Sequence, residues 1–256
     1  MIDRTFRVGV LVAAVSIATA GVLYAAEEHH WSYQGSTGPS KWASLEHEYS
    51  ACGVGRTQSP IDIEDSVAKK EDLPPITFDY KPSPLKIVDN GHTVQVIYAP
   101  GSSITVAGKQ YALQQFHFHK PSEEKVNGKP ADMVVHLVHR DADGKLAVVA
   151  VLLQATGASN SLIETLWKNI PKEKEKEQEV AGVQVNAADL LPANKAAYYT
   201  FMGSLTTPPC SEGVTWFVLK ARTTISKDEL ASFGKLYPMN ARPTQGLNGR
   251  EIRATK

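Results

Sequence analysis

The segment Phe116–His119 constrains the fold of this chain more than any other stretch of the sequence. Aromatic and histidine residues alternate in it, and successive side chains of a β-strand point to opposite faces. A strand here therefore turns both histidines to one face. His136 stands in a second β-branched run, Val134–Val138, so antiparallel pairing of the two runs brings three imidazoles together. Three protein ligands leave one position of a tetrahedral ion open, which is typical of a catalytic zinc site.

The composition favours one globular domain that acts on a small molecule. The chain has 256 residues, and its 27 Lys plus Arg equal its 27 Asp plus Glu. This length suffices for a single large core. A formal charge of zero offers no basic footprint for nucleic acid, so we expect no nucleic-acid partner. The expected substrate is small, neutral or both.

Short apolar runs bounded by turn residues predict strands along most of the chain. The predicted strands cover Leu85–Val88, Thr93–Tyr98, Ile104–Val106, Tyr111–His119, Met133–His139, Leu146–Gln154 and Val214–Leu219. The Asp143-Gly144 pair predicts a hairpin turn between two of them. The predicted fold class is therefore mainly β (α+β): one domain on a large, twisted, mostly antiparallel central sheet with a few short peripheral helices.

Two segments have helical spacing, and two others indicate irregular structure. A helix is predicted over Leu162–Ile170, with Ser161 as N-cap and Pro171 as the stop, and another over Lys227–Leu236. The alternating charges of Lys172–Glu179 predict a solvated loop or helix extension. The stretch from Glu27 to about Asp65 is predicted to be irregular, with Trp31, Tyr33 and Trp42 as packing anchors.

The N-terminus has the pattern of an export signal. Two arginines precede the uncharged apolar run Val8–Ala26, and we expect cleavage after Ala20 or near Ala26. Residues 1–26 are thus predicted to be a signal peptide and 27–256 the mature domain. An uncleaved membrane anchor is the alternative, because a run of this length nearly spans a bilayer. Either arrangement places the folded part outside the cytoplasm, in the periplasm or secreted.

Cys52 and Cys210 are the two cysteines of the chain. In an exported protein such a pair predicts a disulfide, and two buried free thiols are the alternative. This disulfide would close a long loop. The chain-entropy model gives a loop of that length a stabilisation of ~5 kcal/mol. So few thiols argue against a cysteine-based metal site.

His117, His119 and Glu123 also fit the first metal motif of the cupins, a double-sheet barrel family. Glu123 would then be a fourth ligand of iron or manganese. That interpretation requires a later histidine within a second motif that contains proline and glycine. His136 lies too early in the chain, and its neighbours are those of an ordinary strand. A cupin-type metal oxygenase therefore stays as an alternative prediction.

Several motifs, in order along the chain, together resemble the exported, bacterial-type α-class carbonic anhydrases. They are Gln58–Ile63, Gln115–His119, Ser122-Glu123, His136–His139 and Gly203–Cys210, and the resemblance runs from about His30 to Arg250. It implies that 27–256 is an α-carbonic anhydrase domain, a zinc lyase (carbonate dehydratase) that reversibly hydrates CO2 to bicarbonate and a proton. It also implies weak hydrolysis of activated esters.

The resemblance implies a set of metal and catalytic residues. His117, His119 and His136 would bind Zn2+, whose water ligand has a pKa of about 7, a value established for carbonic anhydrase itself. The resulting zinc-bound hydroxide attacks CO2. Thr206 would accept a hydrogen bond from that hydroxide and donate its own proton to Glu123, because a carboxylate can only accept.

Further residues align with the family's proton shuttle and substrate pocket. His92, in the turn Asp89–His92, aligns with the shuttle, which needs a pKa near 7 to carry protons to buffer. The residues that align with the substrate pocket are Val138, Val148, Leu205, Thr206, Thr207, Val214 and Trp216.

The residues expected to orient the ligands depart from the family pattern at one place. Gln115 and Asn240 resemble the family's partners for the first and second ligand histidines. The family usually has Glu two residues before the third, where this chain has Val134, and His where this chain has Glu124. We hypothesise that Glu124 is the acceptor for the free ring nitrogen of His136. Without such an acceptor, metal affinity or activity falls by roughly 10–100-fold.

The resemblance also implies partners. CO2 and bicarbonate are the expected substrates, with sulfonamides and anions as inhibitors and no membrane contact after signal cleavage. The sequence leaves the oligomeric state open, a homodimer included. A non-catalytic carbonic anhydrase-like binding module is the other alternative, although such relatives typically lose a zinc histidine and this chain has all three.

Overall fold

A computed structural model describes residues 31–256. The predicted signal peptide and its cleavage sites lie outside the described residues. Three α-helices occur in the described range: α1 Ala51–Val54, α2 Ser161–Lys168 and α3 Lys227–Leu236. Four 3-10 helices cover Gly35–Thr37, Trp42–Ser44, His47–Tyr49 and Ala187–Leu190. No helix within residues 31–256 is both long and apolar enough to cross a membrane.

Strands make up most of the regular structure in this range. They are β1 Asp62–Ile63, β2 Lys69–Glu71, β3 Ile76–Asp79, β4 Ser83–Asp89, β5 Val94–Ile97, β6 Ser103–Val106, β7 Lys109–His119, β8 Lys125–Val126, β9 Lys129–Pro130, β10 Met133–Arg140, β11 Leu146–Ala155, β12 Gln178–Val185, β13 Tyr198–Ser204, β14 Glu212–Leu219, β15 Thr223–Ile225 and β16 Arg253–Thr255. All seven predicted strands are present.

One large mixed sheet dominates the fold. Its main path runs β12-β4-β5-β7-β10-β11-β14-β13-β16-β2, with β6 joining β3 to β7 and β15 alongside β11. Neighbouring strands are antiparallel except at β11–β14, β11–β15 and β16–β2. A small sheet of β1, β8 and β9 lies beside it. The predicted fold class, a mainly β domain on a large, mostly antiparallel sheet with short helices, is confirmed.

The alternation in β7 and β10 separates an apolar core face from a histidine face. Phe116 and Phe118 pack into the larger core cluster with Val135 and Leu137. The opposite face of the sheet carries the histidines, with Val134 in a second apolar cluster. β7 and β10 are antiparallel, as predicted. A slip of one residue would send each of these side chains to the other face, so burial of the phenylalanines fixes the register.

The β10–β11 hairpin turns at the predicted Asp143-Gly144 pair. The Asp141 carboxylate accepts from the backbone N–H groups of Asp143 at 2.9 Å and Lys145 at 2.7 Å. Gly144 has φ +81°, a conformation in which a side chain would be strained. The turn is therefore specified by its own residues.

The prediction for α2 was wrong at both ends. Asn160, rather than Ser161, is the N-cap: its Oδ1 accepts from Leu162 N and Ile163 N, both at 3.1 Å. Ser161 is the first helical residue. The helix ends at Lys168, short of Ile170, because Asn169 has left the helical conformation. Asparagine and serine are both favoured N-caps, so adjacent candidates are ambiguous in the sequence.

The other helix is confirmed as predicted over Lys227–Leu236. Nine of the sixteen strands in residues 31–256 were not predicted, β12 and β13 among them. Gln178 and Glu179, predicted to lie in the charged loop or helix extension, begin β12, and Gly203 and Ser204, the first residues of the motif Gly203–Cys210, end β13. β12 is largely exposed, and burial therefore imposes little apolar alternation on its sequence.

The segment before β1 is mostly irregular, as predicted, apart from its short helices. Trp42 is completely buried, and its indole N–H donates to the Ser32 carbonyl at 2.8 Å. Trp31 packs edge-on against it, with ring centroids 5.2 Å apart. Cys52 and Cys210 join in the predicted disulfide and close a loop of 158 residues. The disulfide holds this segment against the loop that follows β13.

Candidate metal centre

Three histidines from two adjacent strands converge on one point. His117 and His119 come from β7 and His136 from β10, where His136 lies directly opposite His117. One ring nitrogen from each histidine lies within 4.8 Å of the other two. His119 and His136 are buried, and His117 is partly open to a cavity. The strand register alone thus brings together the predicted ligand set.

The nitrogen that each ring turns away from this point has a hydrogen-bond acceptor. His117 Nδ1 lies 2.8 Å from Gln115 Oε1, and His119 Nδ1 lies 2.8 Å from the Asn240 carbonyl. These acceptors require a proton on Nδ1. In both rings the lone pair is therefore on Nε2, the nitrogen that faces the centre.

His136 presents the opposite nitrogen. Its Nε2 lies 3.1 and 3.2 Å from the two oxygens of Glu124, which leaves Nδ1 for the centre. Glu124 is completely buried, and Ser122 Oγ donates to its backbone carbonyl at 2.6 Å. Val134, two positions before His136 on the same face of β10, packs in the second apolar cluster. The carboxylate therefore comes from the segment after β7 and not from the strand itself.

The electrostatics keep two of the rings neutral. Burial, helped by the neighbouring His136, lowers the pKa of His117 to about 3. Burial also lowers the pKa of His119 well below its usual value. For His136 burial acts in the same direction, but the charge and hydrogen bond of Glu124 outweigh it, and the pKa is raised. Neutral imidazoles are the form that binds metal ions.

The donor set fits a zinc ion. His119 Nε2 is buried and has no hydrogen-bond partner within residues 31–256. An unpartnered buried nitrogen is costly unless something else occupies its lone pair. Three imidazoles with no thiolate match the three-histidine ligand set found in one class of catalytic zinc site. These residues could therefore hold Zn2+ with a fourth position open.

Glu123, next to the three rings, is fixed by the backbone of a distant segment. Its Oε1 accepts from the Arg242 N–H at 2.8 Å, and its Oε2 lies 3.5 Å from His119 Nε2. Burial raises the pKa of Glu123 to about 7, with the Glu124 charge acting in the same direction. The charge of His136 opposes that shift most strongly, the Arg242 N–H and the Thr206 hydroxyl add to that opposition, and all three favour the carboxylate.

A cavity of about 230 Å³ opens from the three histidines. One of its walls is apolar and consists of Val138, Val148, Leu205 and Trp216. Thr206 and Thr207 also line it. Val214, the remaining predicted pocket residue, is buried in the second apolar cluster with Val138 and Val148, and is not among the described residues that line the cavity.

His92 also lines the cavity, on the turn between β4 and β5. Asn90 Oδ1 accepts from His92 N at 3.0 Å and from Thr93 N at 2.9 Å, which fixes the turn. The imidazole stacks on Trp31 with ring centroids 3.6 Å apart and planes 10° apart. The predicted packing anchor Trp31 is thus also part of the cavity wall.

Sequence reasoning missed several cavity residues. Thr93 and Gln95 line the cavity, and Gln95 lies opposite His117 in the β5–β7 ladder. The alternation in the predicted strand Thr93–Tyr98 puts both on the histidine face, so a register for that strand would have found them. Tyr33 also lines the cavity, and no local pattern distinguishes this role from packing.

The fold and this site define a mainly β, single-domain protein with three histidines that could hold one metal ion at the base of a cavity. Comparisons with known proteins identify the family. The family profile of eukaryotic-type carbonic anhydrases matches residues 37–256. A carbonic anhydrase from Klebsiella pneumoniae is 43% identical over 226 residues, covering 87% of this chain and 90% of that protein. One from Nostoc sp. is 40% identical over 228 residues, covering 87% and 85%.

A solved structure supports the same family. The α-carbonic anhydrase from Thermovibrio ammonificans, in complex with the inhibitor sulfanilamide, superposes with a TM-score of 0.84 at 40% identity and covers 88% of this chain and 99% of that one. The chain belongs to the α-class carbonic anhydrase family. Family and fold support an enzyme that hydrates CO2, and they exclude the cupin alternative.

Proposed function

We propose that the protein is a zinc enzyme that reversibly converts CO2 and water to bicarbonate and a proton. His117, His119 and His136 bind the ion. The observation that carries this proposal is the convergence of three ring nitrogens within 4.8 Å of one another, with an acceptor behind each ring. Zinc bound there supplies an acidified water ligand as the nucleophile for CO2.

Thr206 and Glu123 form the directional part of the site. Glu123 in its carboxylate form can only accept, so the Thr206 hydroxyl donates to it. The oxygen of Thr206 is then left to accept a hydrogen bond from whatever occupies the open position of the centre. The Arg242 N–H holds Glu123 in place for this task. The pair therefore selects a group that can donate a hydrogen bond and orients it.

The substrate is held by the apolar wall beside the histidines. CO2 carries no charge and has no hydrogen-bond donor, so an apolar surface next to the nucleophile concentrates it without competing for the metal. The residues in this role are Val138, Val148, Leu205 and Trp216, with Thr206 and Thr207 beside them, while Val214 packs with Val138 and Val148 in the second apolar cluster. Bicarbonate, being charged, is disfavoured there and leaves.

His92 removes the proton that each hydration releases. An imidazole titrates near neutral pH, so it can accept a proton inside the cavity and pass it to buffer outside. Its position in the cavity wall, on a turn stacked against Trp31, supports this role. Gln115, the Asn240 carbonyl and Glu124 orient the three ligand rings.

The protein acts outside the cytoplasm, in the periplasm or after secretion. The disulfide between Cys52 and Cys210 supports an oxidising compartment. Residues 1–26 are the signal peptide in this proposal. Sulfonamides and anions inhibit by binding at the metal, as the sulfanilamide complex of the Thermovibrio relative suggests for the sulfonamides. The same nucleophile hydrolyses activated esters weakly.

Stopped-flow CO2 hydration tests the proposal. We expect activity that a sulfonamide inhibits, that a strong zinc chelator removes and that added zinc restores, with about one zinc per chain. The apoenzyme returned to zinc serves as the control for damage during chelation. Activity that survives complete removal of zinc, or stoichiometric iron in place of zinc, would contradict it.

A further inference from the structure

Residues 238–243 follow α3 without regular secondary structure and contact separate parts of the site. The Arg242 N–H donates to Glu123. Asn240, two residues earlier, contacts both a ligand histidine and the turn that carries His92. This short segment therefore links parts of the cavity that lie far apart in the chain.

Asn240 is completely buried, and each of its polar groups is hydrogen-bonded. Its N–H donates to the Lys120 carbonyl at 3.0 Å, and its Oδ1 accepts from Lys120 N at 2.7 Å. Its carbonyl accepts from His119 Nδ1 at 2.8 Å. Its Nδ2 donates to the His92 and Phe118 carbonyls, both at 3.0 Å. A side chain satisfied in this way has one fixed orientation.

The two contacts with the site use different atoms of Asn240. The backbone carbonyl orients His119, and any residue at this position supplies it. The side-chain amide holds His92, and that contact depends on Asn240 itself. The Phe118 carbonyl also accepts from Thr93 Oγ1 at 2.5 Å, so it keeps a donor when the amide is removed. Substitution at this position therefore separates the His92 contact from the ligand contact.

The amide ties a locally stabilised turn to the metal-binding strand. Asn90 fixes the turn from within, and Trp31 stacks on the ring. Gly91, with φ +82°, lies between Asn90 and His92 in the turn. Asn240 adds a connection from the His92 carbonyl to the end of β7, the strand that supplies His117 and His119.

We propose that Asn240, through its side-chain amide, is a positioning residue for His92. It keeps the imidazole at a fixed place relative to the three histidines and so sets the rate at which protons leave the cavity. This inference rests on the shuttle role given to His92 above. The rate of proton transfer depends steeply on where the His92 imidazole lies. Attack on CO2, in contrast, takes place at the three histidines and does not involve His92.

Stopped-flow kinetics of Asn240→Asp and Asn240→Ser test the inference. Asp keeps the acceptor for Lys120 N and loses both donors, and Ser is smaller and neutral. In weak buffer we expect kcat to fall by about fivefold to tenfold, part of the ~10²-fold that a positioned proton carrier contributes. The ratio kcat/KM should stay within about twofold, and zinc content should not change. Imidazole buffer should restore kcat.

Two further sets of variants make the result specific. In a His92→Ala background, Asn240→Ser should have no additional effect on kcat, because both changes act on one step. Asn160→Asp and Asn160→Ser are the matched controls: Asn160 also hydrogen-bonds to backbone groups, but it caps α2 and does not line the cavity. These controls should leave kcat unchanged in every buffer.

The outcomes separate this inference from the proposed function. If His92→Ala does not lower kcat in weak buffer, the shuttle role fails and the inference fails with it. If His92→Ala lowers kcat and neither Asn240 variant does, the inference alone is overturned. It is also overturned if both Asn240 variants lose zinc, fail to fold, lower kcat and kcat/KM equally, or slow the His92→Ala enzyme further.

Discussion

His136 and His139 are three positions apart on β10, and both are buried, yet their surroundings differ. His136 lies on the metal face, with Glu124 behind it and two other histidines in front. His139 lies on the other face, where its Nε2 is 2.9 Å from the Tyr80 hydroxyl and the two rings stack. Burial lowers the pKa of His139 to about 3, while Glu124 reverses the effect of burial at His136.

The difference shows that burial alone does not make a histidine a ligand. Both rings are almost inaccessible to solvent, at 1% for His136 and 0% for His139. What distinguishes His136 is a carboxylate on one nitrogen and converging lone pairs at the other. His139 has a hydroxyl on one side and, within the described residues, no second imidazole positioned to share an ion. The first arrangement suits metal chemistry, and the second suits packing.

The largest difference between the two should appear when each histidine is removed. We expect His136→Ala to lose zinc and to lower CO2 hydration by about 1,000-fold or more, because the nucleophile depends on the metal. His139→Asn should keep one zinc per chain and most of its activity. Metal analysis and stopped-flow hydration check both. Equal losses of zinc in the two variants would contradict the assignment of His136 as a ligand and His139 as a packing residue.

The carboxylate behind His136 can be tested separately. We expect Glu124→Gln to weaken zinc binding by roughly 10–100-fold, since the amide no longer offers a charged acceptor to the ring. Adding Val134→Glu should recover part of the affinity by supplying a carboxylate from the strand. Competition with a chromophoric chelator measures both. Tyr80→Phe, which removes the partner of His139, is the matched control and should bind zinc normally.

The low pKa of His139 predicts a pH dependence of stability. Its folded pKa is about 3, below the unfolded value of about 6.5, so between these values only the unfolded state takes up the proton. Folding should therefore lose up to about 1.4 kcal/mol per pH unit as the pH falls below about 6.5. His139→Asn should lack this contribution. Urea unfolding at several pH values measures the free energy of unfolding of both proteins. The difference between wild type and His139→Asn should shift against wild type as the pH falls, and a difference that does not change with pH would contradict this.

The smallest effect should come from the hydroxyl that His139 contacts. Tyr80→Phe removes one buried hydrogen bond and leaves the ring stack, so we expect a loss of about 1 kcal/mol in the free energy of unfolding. Both kcat and kcat/KM should be unchanged, because Tyr80 lies on the face away from the metal centre. A fall in kcat/KM would show that the two faces are coupled.

The sequence could predict the parts of the site that depend on alternation along a strand. Phe116–His119 and Val134–Val138 each place their residues on known faces, and a single antiparallel pairing then brings the ligands together. The strand pattern also accounts for most of the sheet. Where the pattern was weak, at exposed β12, or where two adjacent residues could cap the same helix, the prediction was wrong.

Contacts between distant segments could not be predicted from local pattern. The amide of Asn240 reaches the carbonyl of His92, 148 positions away. Nothing in the spacing of either residue indicates such a contact, because it depends on how the 238–243 segment returns across the end of β7. The same reason explains why Tyr33 was predicted as a packing anchor only.

The ligands lie close together in the chain, and this has a consequence for the order in which the site is completed. During synthesis all three histidines are part of the chain once His136 has been added. Asn240, whose carbonyl orients His119, and Arg242, whose N–H fixes Glu123, follow more than one hundred positions later. A nascent chain can therefore present all its metal-binding rings long before it can hold them in their working orientation.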